Sequence, residues 1–263
     1  MKNSKQPQDT TSETSVQKAQ VVILGAGNGT RMNHALPKVL IPVKGKPIIK
    51  RLVGVAQRSK LTEKPVVVVS EKNKNLIKDT LGDTCTYVVQ KQQLGTGHAV
   101  LCAKDVLHKK FEYIVVLNGD HPFVQPQTIN NLVDLAQKEG TMIALATATI
   151  PEFSGWKKTF FDFGRILRDH KGNIVGIREK KDASPKELDI KEVNVAYYCF
   201  NADWLWKTLP KVKNNNTQSE YYITDIVKLA IDNRQKVSHY TIDPRQALGI
   251  NTQEHLQFAR KSV

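Results

Sequence analysis

Cysteine is scarce and scattered. Only Cys85, Cys102 and Cys199 occur in 263 residues, and none forms a CxxC pair. Neither a disulfide framework nor a zinc site is therefore indicated, and a reducing cytoplasm is the expected compartment. No apolar run approaches the roughly 20 residues that span a bilayer, so no membrane partner is expected. Residues 1–18 hold almost nothing apolar and are rich in Lys, Gln, Ser, Thr and Asp. That excludes the hydrophobic segment of a signal peptide and reads as a disordered polar tail. Acidic residues are also in deficit, 25 against 39 Lys and Arg, giving a formal charge of +14. Such an excess invites a polyanion. The lysines are nevertheless spread along the chain, and no dense basic run alternates with aromatics, so a solvated basic surface is expected and no nucleic acid. A phosphate-rich small substrate suits the charge equally well.

What is present is ordinary for a sizeable core, with 40% apolar residues. Strand-like runs at 21–24, 66–69, 87–89, 113–117 and 142–147 alternate with helical periodicity at 47–58, 98–108 and 127–139. This order predicts an α/β fold with a mostly parallel, doubly wound, Rossmann-like sheet. The pattern then changes. A hairpin is expected at 164–168 and 174–179 and a strand at 193–200, marking a smaller β-rich lobe over roughly 151–222. Helices at 202–208 and 224–233, a strand at 237–241 and a helix after Asn251 complete the domain, 19–263.

Leu24-Gly25-Ala26-Gly27-Asn28-Gly29-Thr30-Arg31-Met32 follows the first strand, where a glycine-rich turn can bring backbone N–H groups against phosphate oxygens. Thr30 stands where GxGxxG needs its third glycine, and Pro37 and Pro42 delay the helix that should follow. The Walker pattern is absent as well. Arg31 and Lys38, with Pro37 stiffening the approach to Lys38, could set two cations on one side of a triphosphate. A tight turn with exposed basic residues is the plainer alternative.

Three further segments carry polar chemistry. Gln90 and Gln93-Leu94-Gly95-Thr96-Gly97-His98 place an amide and exposed backbone where they could read a pyrimidine edge. Asp120 follows an unbroken apolar strand, so its carboxylate would sit at the carboxyl edge of the sheet, where such sheets bind ligands. Magnesium needs few protein ligands, because it keeps waters and takes substrate phosphates. Asp120 is therefore the leading metal ligand. Asn251 also suits a helix N-cap. His98, His121 and His170 lack metal-ligand spacing and read as structural or exposed, and Trp156, Trp204 and Trp206 as lobe packing.

Leu24 to Met32, Leu36-Pro37-Lys38-Val39-Leu40 and Gly45-Lys46-Pro47 resemble the signature of sugar nucleotidyltransferases, L-x-x-G-x-G-T-R-M followed by P-K. The likeness is closest to the uridylyltransferase domain of bacterial bifunctional N-acetylglucosamine-1-phosphate uridylyltransferase/glucosamine-1-phosphate acetyltransferase, and runs from about Val21 to about Leu256. The resemblance implies catalytic roles for Arg31 and Lys38. It implies nucleotide binding by Leu24, Ala26, Gly27, Gly29, Thr30, Gln90, Gly95 and Thr96, and magnesium on Asp120 and Asn251. It implies sugar binding by Gly164, Glu179, Asn194, Glu220, Tyr222 and Thr224.

The implied reaction joins UTP and N-acetylglucosamine-1-phosphate into UDP-N-acetylglucosamine and pyrophosphate, a cell-wall precursor step. No hexapeptide repeats follow, so acetyl transfer is not expected, and the relatives' oligomeric state does not carry over. The chain departs from the pattern at Asn28, for a frequent lysine, at Asn118, for tyrosine, and at Asn194-Val195-Ala196, for Asn-Thr-Gly. These departures keep another hexose-1-phosphate or a thymidine nucleotide open. A non-catalytic nucleotide sensor of the same fold is the rival from another class; retention of Arg31, Lys38, Asp120 and Asn251 together argues against it.

Overall fold

In the computed structural model, which describes residues 17–27 and 36–262, strand β1 (Gln17–Leu24) shows how one segment serves two layers. Val21 and Ile23 enter the core on one face of the sheet, and Val22 enters the core on the other. This is the period-two alternation of a strand buried on both sides. β1 begins two residues inside the expected polar tail. Gln17 and Lys18 remain exposed, and Gln17 is held by its backbone, its N–H donating to Lys110 O at 2.9 Å. Main-chain pairing of this kind needs no apolar side chain, so composition could not reveal it.

β2 (Pro42–Val43) and β3 (Lys46–Pro47) form a minimal antiparallel hairpin where the prolines suggested irregular chain. Lys44 and Gly45 make its turn, both at positive φ, as two-residue hairpin loops require. There follow α1 (Ile48–Arg58), β4 (Val66–Ser70), α2 (Lys74–Leu81), β5 (Thr86–Gln90), α3 (Thr96–Cys102), α4 (Lys104–Leu107), β6 (Phe111–Asn118), α5 (Pro126–Glu139) and β7 (Ile143–Thr149). Next come the hairpin β8 (Arg165–Arg168) and β9 (Ile174–Arg178), then α6 (Pro185–Leu188), β10 (Glu192–Asn201), α7 (Ala202–Thr208), α8 (Asp225–Asp232), β11 (Val237–Thr241) and α9 (Gln253–Ser262).

The main path of the sheet runs β11-β7-β10-β6-β1-β4-β5. β6, β1, β4 and β5 are mutually parallel, as are β7 and β11, while β10 runs antiparallel between β6 and β7. The sheet is thus mostly parallel, as the element order predicts. α1, α5 and α9 cover one face through Leu52, Ile129, Leu132 and Leu256. α3, α7 and α8 cover the other through Val100, Leu205, Trp206 and Ile226. The chain leaves β1 toward β4 on one side, whereas β6 pairs with β1 on the other. Loops therefore diverge at the paired carboxyl ends Leu24 and Asn118, the crevice where open α/β sheets take ligands.

The β8–β9 hairpin joins the sheet at the start of β10, where Val193 pairs with Arg165. Arg165 turns inward rather than toward a ligand. It is fully buried, lies 4.9 Å from the Phe153 ring and 5.3 Å from that of Phe161, and donates to the carbonyls of Phe161, Phe163 and Leu188. Burial lowers its pKa. With three carbonyls for partners and rings on its face, the guanidinium staples 161–163 to α6 and fixes neighbouring Gly164.

Candidate active site

At the carboxyl ends of β1 and β6, three side chains from distant segments converge. Lys38 Nζ lies 2.6 Å from Asp120 Oδ2 and 2.8 Å from Asn251 Oδ1. Lys38 opens a 3-10 turn (Lys38–Leu40) directly after Pro37, whose φ of −50° and ψ of 139° aim the chain back across the sheet edge. Asp120 follows β6 through Gly119, whose N–H donates to Leu24 O at 2.9 Å. The loop before α9 is tied to it by the Ile250 N–H, 3.0 Å from Asp120 O. Ahead of α9, the residue after Asn251 makes the bond typical of an N-cap: Thr252 Oγ1 accepts from His255 N at 3.2 Å. Asn251 Oδ1 accepts from the Lys38 ammonium.

Burial acts to raise the Asp120 pKa, but the Lys38 ammonium and His121 outweigh it and hold the carboxyl at about 2. His121, expected to be merely structural, is buried beneath the same carboxylate, with Nε2 3.5 Å from Asp120 Oδ1. Its Nδ1 lies 3.0 Å from the Tyr197 hydroxyl, which donates to Gln246 O at 2.8 Å. That proton being used, Nδ1 is the donor to Tyr197. Gly249 packs on the ring so closely that a Cβ would sit 2.8 Å from His121 Nε2. Imidazole, β10 tyrosine and the 246–251 loop together set where Asp120 and Asn251 stand relative to each other. No local sequence signal marks this, because Tyr197 and Gln246 lie far along the chain.

A cavity of about 450 Å³ opens over this cluster, lined by Leu24, Ala26, Gly27, Gln90, Gly95 and Thr96 as well as Lys38, Asp120 and Asn251. The structure thus gathers six expected nucleotide-binding positions around one space. Arg31, Gly29 and Thr30, with Asn28, lie outside the described residues. A larger groove of about 1260 Å³ is lined by Phe153, Trp156, Phe161 and Phe258. Charged and amide side chains line it too, among them Glu152, Lys158, Asp162, Lys191 and Gln253, but it contains none of the expected site residues, so their placement rather than size selects the smaller cavity.

Gly95 is held by neighbours rather than by preference. Tyr221 N donates to Leu94 O and Gly97 N to Tyr221 O, both at 2.8 Å, and Ile223 N donates to Thr96 Oγ1 at 3.1 Å. These bonds stitch the turn to the 221–223 segment. Gly95 has φ +112°, and a Cβ there would lie 2.7 Å from Tyr221 O and 2.8 Å from Tyr221 N. Gly95→Ala should lower stability by about 2 kcal/mol in urea titrations and raise the KM for nucleotide roughly tenfold. Unchanged values for both would show that the turn is not under this constraint.

The expected sugar-binding positions divide. Glu179 and Tyr222 line a smaller pocket of about 170 Å³ with Asp182, Asn216 and Asp225. Gly164 adjoins it, since a Cβ there would be 3.5 Å from Glu179 Oε1. Burial first, and the charges of Asp225 and Asp182, raise the Glu179 pKa, with Thr224 acting in the opposite sense. The Thr224 hydroxyl is buried, and among the described residues no partner meets it at full hydrogen-bond geometry. Tyr222 Oη accepts from Gln218 Nε2 at 2.7 Å. Glu220 instead joins the nucleotide cavity. Asn194 is turned toward its own strand: Nδ2 donates to Tyr198 Oη at 2.7 Å, and Oδ1 accepts from Ala196 N at 3.1 Å. It shapes a bulge in β10 in which Ala196 takes φ +61°, a left-handed conformation that suits the glycine of the usual Asn-Thr-Gly.

The chain is similar to known proteins over most of its length. The model of the nucleotidyl transferase family matches residues 20–245. Bifunctional protein GlmU of Desulfotalea psychrophila is 38% identical over 92% of this chain and 70% of its own length. The same-named protein of Enterococcus faecalis is 37% identical over 91% of the chain and 51% of its own length. The chain spans about half the length of most of these curated relatives. A crystal structure of UDP-glucose pyrophosphorylase with UDP-glucose shares the fold, with a TM-score of 0.72 at 18% identity, covering 93% of this chain and 98% of that one. A family match over most of the chain, with the crevice at Leu24 and Asn118 carrying its polar cluster, leads to one assignment: the chain belongs to the nucleotidyl transferase family.

Proposed function

We propose that this chain is a magnesium-dependent sugar-1-phosphate nucleotidyltransferase, joining UTP and N-acetylglucosamine-1-phosphate into UDP-N-acetylglucosamine and pyrophosphate. The observation that carries the reading is the convergence of Lys38, Asp120 and Asn251 at the mouth of the nucleotide cavity. Similarity to the GlmU proteins favours the uridine nucleotide and the amino sugar.

The donor set suits magnesium. A carboxylate and an amide oxygen already face one cation, the Lys38 ammonium, and both are the hard oxygen ligands this ion prefers. Asp120 and Asn251 would hold it, and when bound it supplies charge neutralisation to substrate phosphates. The attacking phosphate oxygen of the sugar-1-phosphate is already an anion, so the protein need provide no nucleophile. Its work is positioning and charge stabilisation. Lys38, displaced from Asp120, would meet the charge that grows on the leaving pyrophosphate, with Arg31 as its companion. Gln90 and Gly95 would read the base. Glu179, the buried Thr224 hydroxyl beside it and the Gly164 backbone would take the sugar, and Glu220 would contact the nucleotide side.

Asn118, in place of tyrosine, lines the nucleotide cavity, and with Ala196 in place of glycine it favours a second acceptor reading, another hexose-1-phosphate. The deciding measurement is pyrophosphate release across a panel of nucleoside triphosphates and sugar-1-phosphates with magnesium. The fastest pair should be UTP with N-acetylglucosamine-1-phosphate. A faster hexose-1-phosphate or dTTP would replace the proposed substrate, and nucleotide binding without release from any pair would make the protein a sensor.

A further inference from the structure

Gln90 ends β5 almost fully buried, yet it lines the nucleotide cavity. Its side-chain nitrogen lies 3.1 Å from Gly95 O and 3.0 Å from His98 Nδ1. A carbonyl oxygen only accepts, so Gly95 decides which end of the amide is nitrogen; the flipped amide would set oxygen against oxygen. The Gly95 carbonyl is itself fixed, by the positive φ of its residue and the Tyr221 backbone packed on it. One amide proton therefore goes to Gly95 O and the other to His98.

An amide nitrogen only donates, so His98 Nδ1 must be a bare lone pair and the imidazole proton must sit on Nε2. Nε2 faces Cys102 Sγ at 3.9 Å, one helical turn along α3, where a thiol sulfur can accept weakly. Both amide protons are then in use. Oε1, for which no donor exists among the described residues, is the group Gln90 has left to offer a ligand.

We propose that His98 is a specificity-determining positioning residue: its unprotonated Nδ1 locks the Gln90 amide so that an acceptor alone faces the base. Uracil and thymine carry an imide N3–H that bonds to this oxygen. Cytosine presents a lone pair at N3 and would set acceptor against acceptor. To serve cytosine the amide would have to flip, losing the bond to Gly95 and requiring the other His98 tautomer. The inference rests on the proposed role of Gln90 in base reading.

The test compares the KM for UTP with the Ki of CTP as competing nucleotide in His98→Asn, His98→Leu and Gln90→Leu. Asn places an amide oxygen where Nδ1 stood and should keep the wild-type ratio of Ki to KM. His98→Leu should reduce that ratio roughly tenfold, mainly through the KM for UTP, with kcat moving much less. Gln90→Leu should reduce it at least as far. If Gln90→Leu collapses the ratio while His98→Leu keeps it, the lock is overturned and base reading by Gln90 stands. If both keep it, the reading and the lock fail together. Should His98→Leu not fold, the imidazole nitrogen-15 spectrum of the wild-type protein decides. Protonated Nε2 with bare Nδ1 is expected, and the opposite tautomer overturns the proposal.

Discussion

Asp120→Asn is expected to lower kcat about a thousandfold at saturating magnesium, with much smaller change in the KM for sugar-1-phosphate. The substitution keeps the shape and leaves the backbone carbonyl that accepts from Ile250. The charge is removed and one acceptor oxygen becomes an NH2 donor. A neutral amide at this point cannot hold a divalent ion against the pull of substrate phosphates, nor leave the reacting groups aligned through it. Stability offers a second, independent readout. The Asp120 carboxyl is held at about 2, below its ordinary 3.8. A depressed acid stabilises the fold above its unfolded value and loses that contribution as pH falls through the folded one. Wild type should therefore exceed Asp120→Asn by about 2 kcal/mol at pH 5 in urea titrations, and the gap should close near pH 2. Near wild-type turnover in the variant would remove Asp120 from the metal site.

The strands that place this carboxylate were legible because their signal is local. Val66 to Val69 and Ile114 to Leu117 are continuous apolar runs, and each residue is buried on one face of the sheet or the other. α2 was not legible: only Ile77 and Leu81 are buried, while Leu76 is exposed, so its periodicity is too sparse to stand out. The helix expected at 98–108 breaks at Ala103 into α3 and α4, a change no proline or glycine announces. Within the site, glycine turns and the strand-end carboxylate could be read because each occupies a characteristic position in one element. His98, His121 and Arg165 could not. Their roles are set by Gln90, by Tyr197 and Gln246, and by three carbonyls, partners supplied by tertiary packing. A lone histidine in a sequence carries no information about which nitrogen is bonded.

Lys38→Met should separate two quantities that normally fall together: turnover should drop at least a hundredfold, while the free enzyme should bind Mn²⁺ roughly tenfold more tightly. The loss of turnover follows from the missing charge at the leaving pyrophosphate. The gain in metal affinity is expected because the ammonium occupies the oxygens proposed to bind the metal, at 2.6 Å from Asp120 and 2.8 Å from Asn251. A charge-assisted bond of this kind is worth about 1.5–3 kcal/mol, and a divalent ion must displace it and tolerate the nearby positive charge. Methionine keeps much of the length and removes both obstacles. It also leaves Asp120 buried without its lysine, so the metal-free variant should be less stable and should gain more from added Mn²⁺ than wild type does. An electron paramagnetic resonance titration of free Mn²⁺ at pH 8, without nucleotide, reads the affinity directly. Equal or weaker binding by the variant would mean that Lys38 does not share its position with the metal, and the cluster would have to be reinterpreted as a structural ion pair.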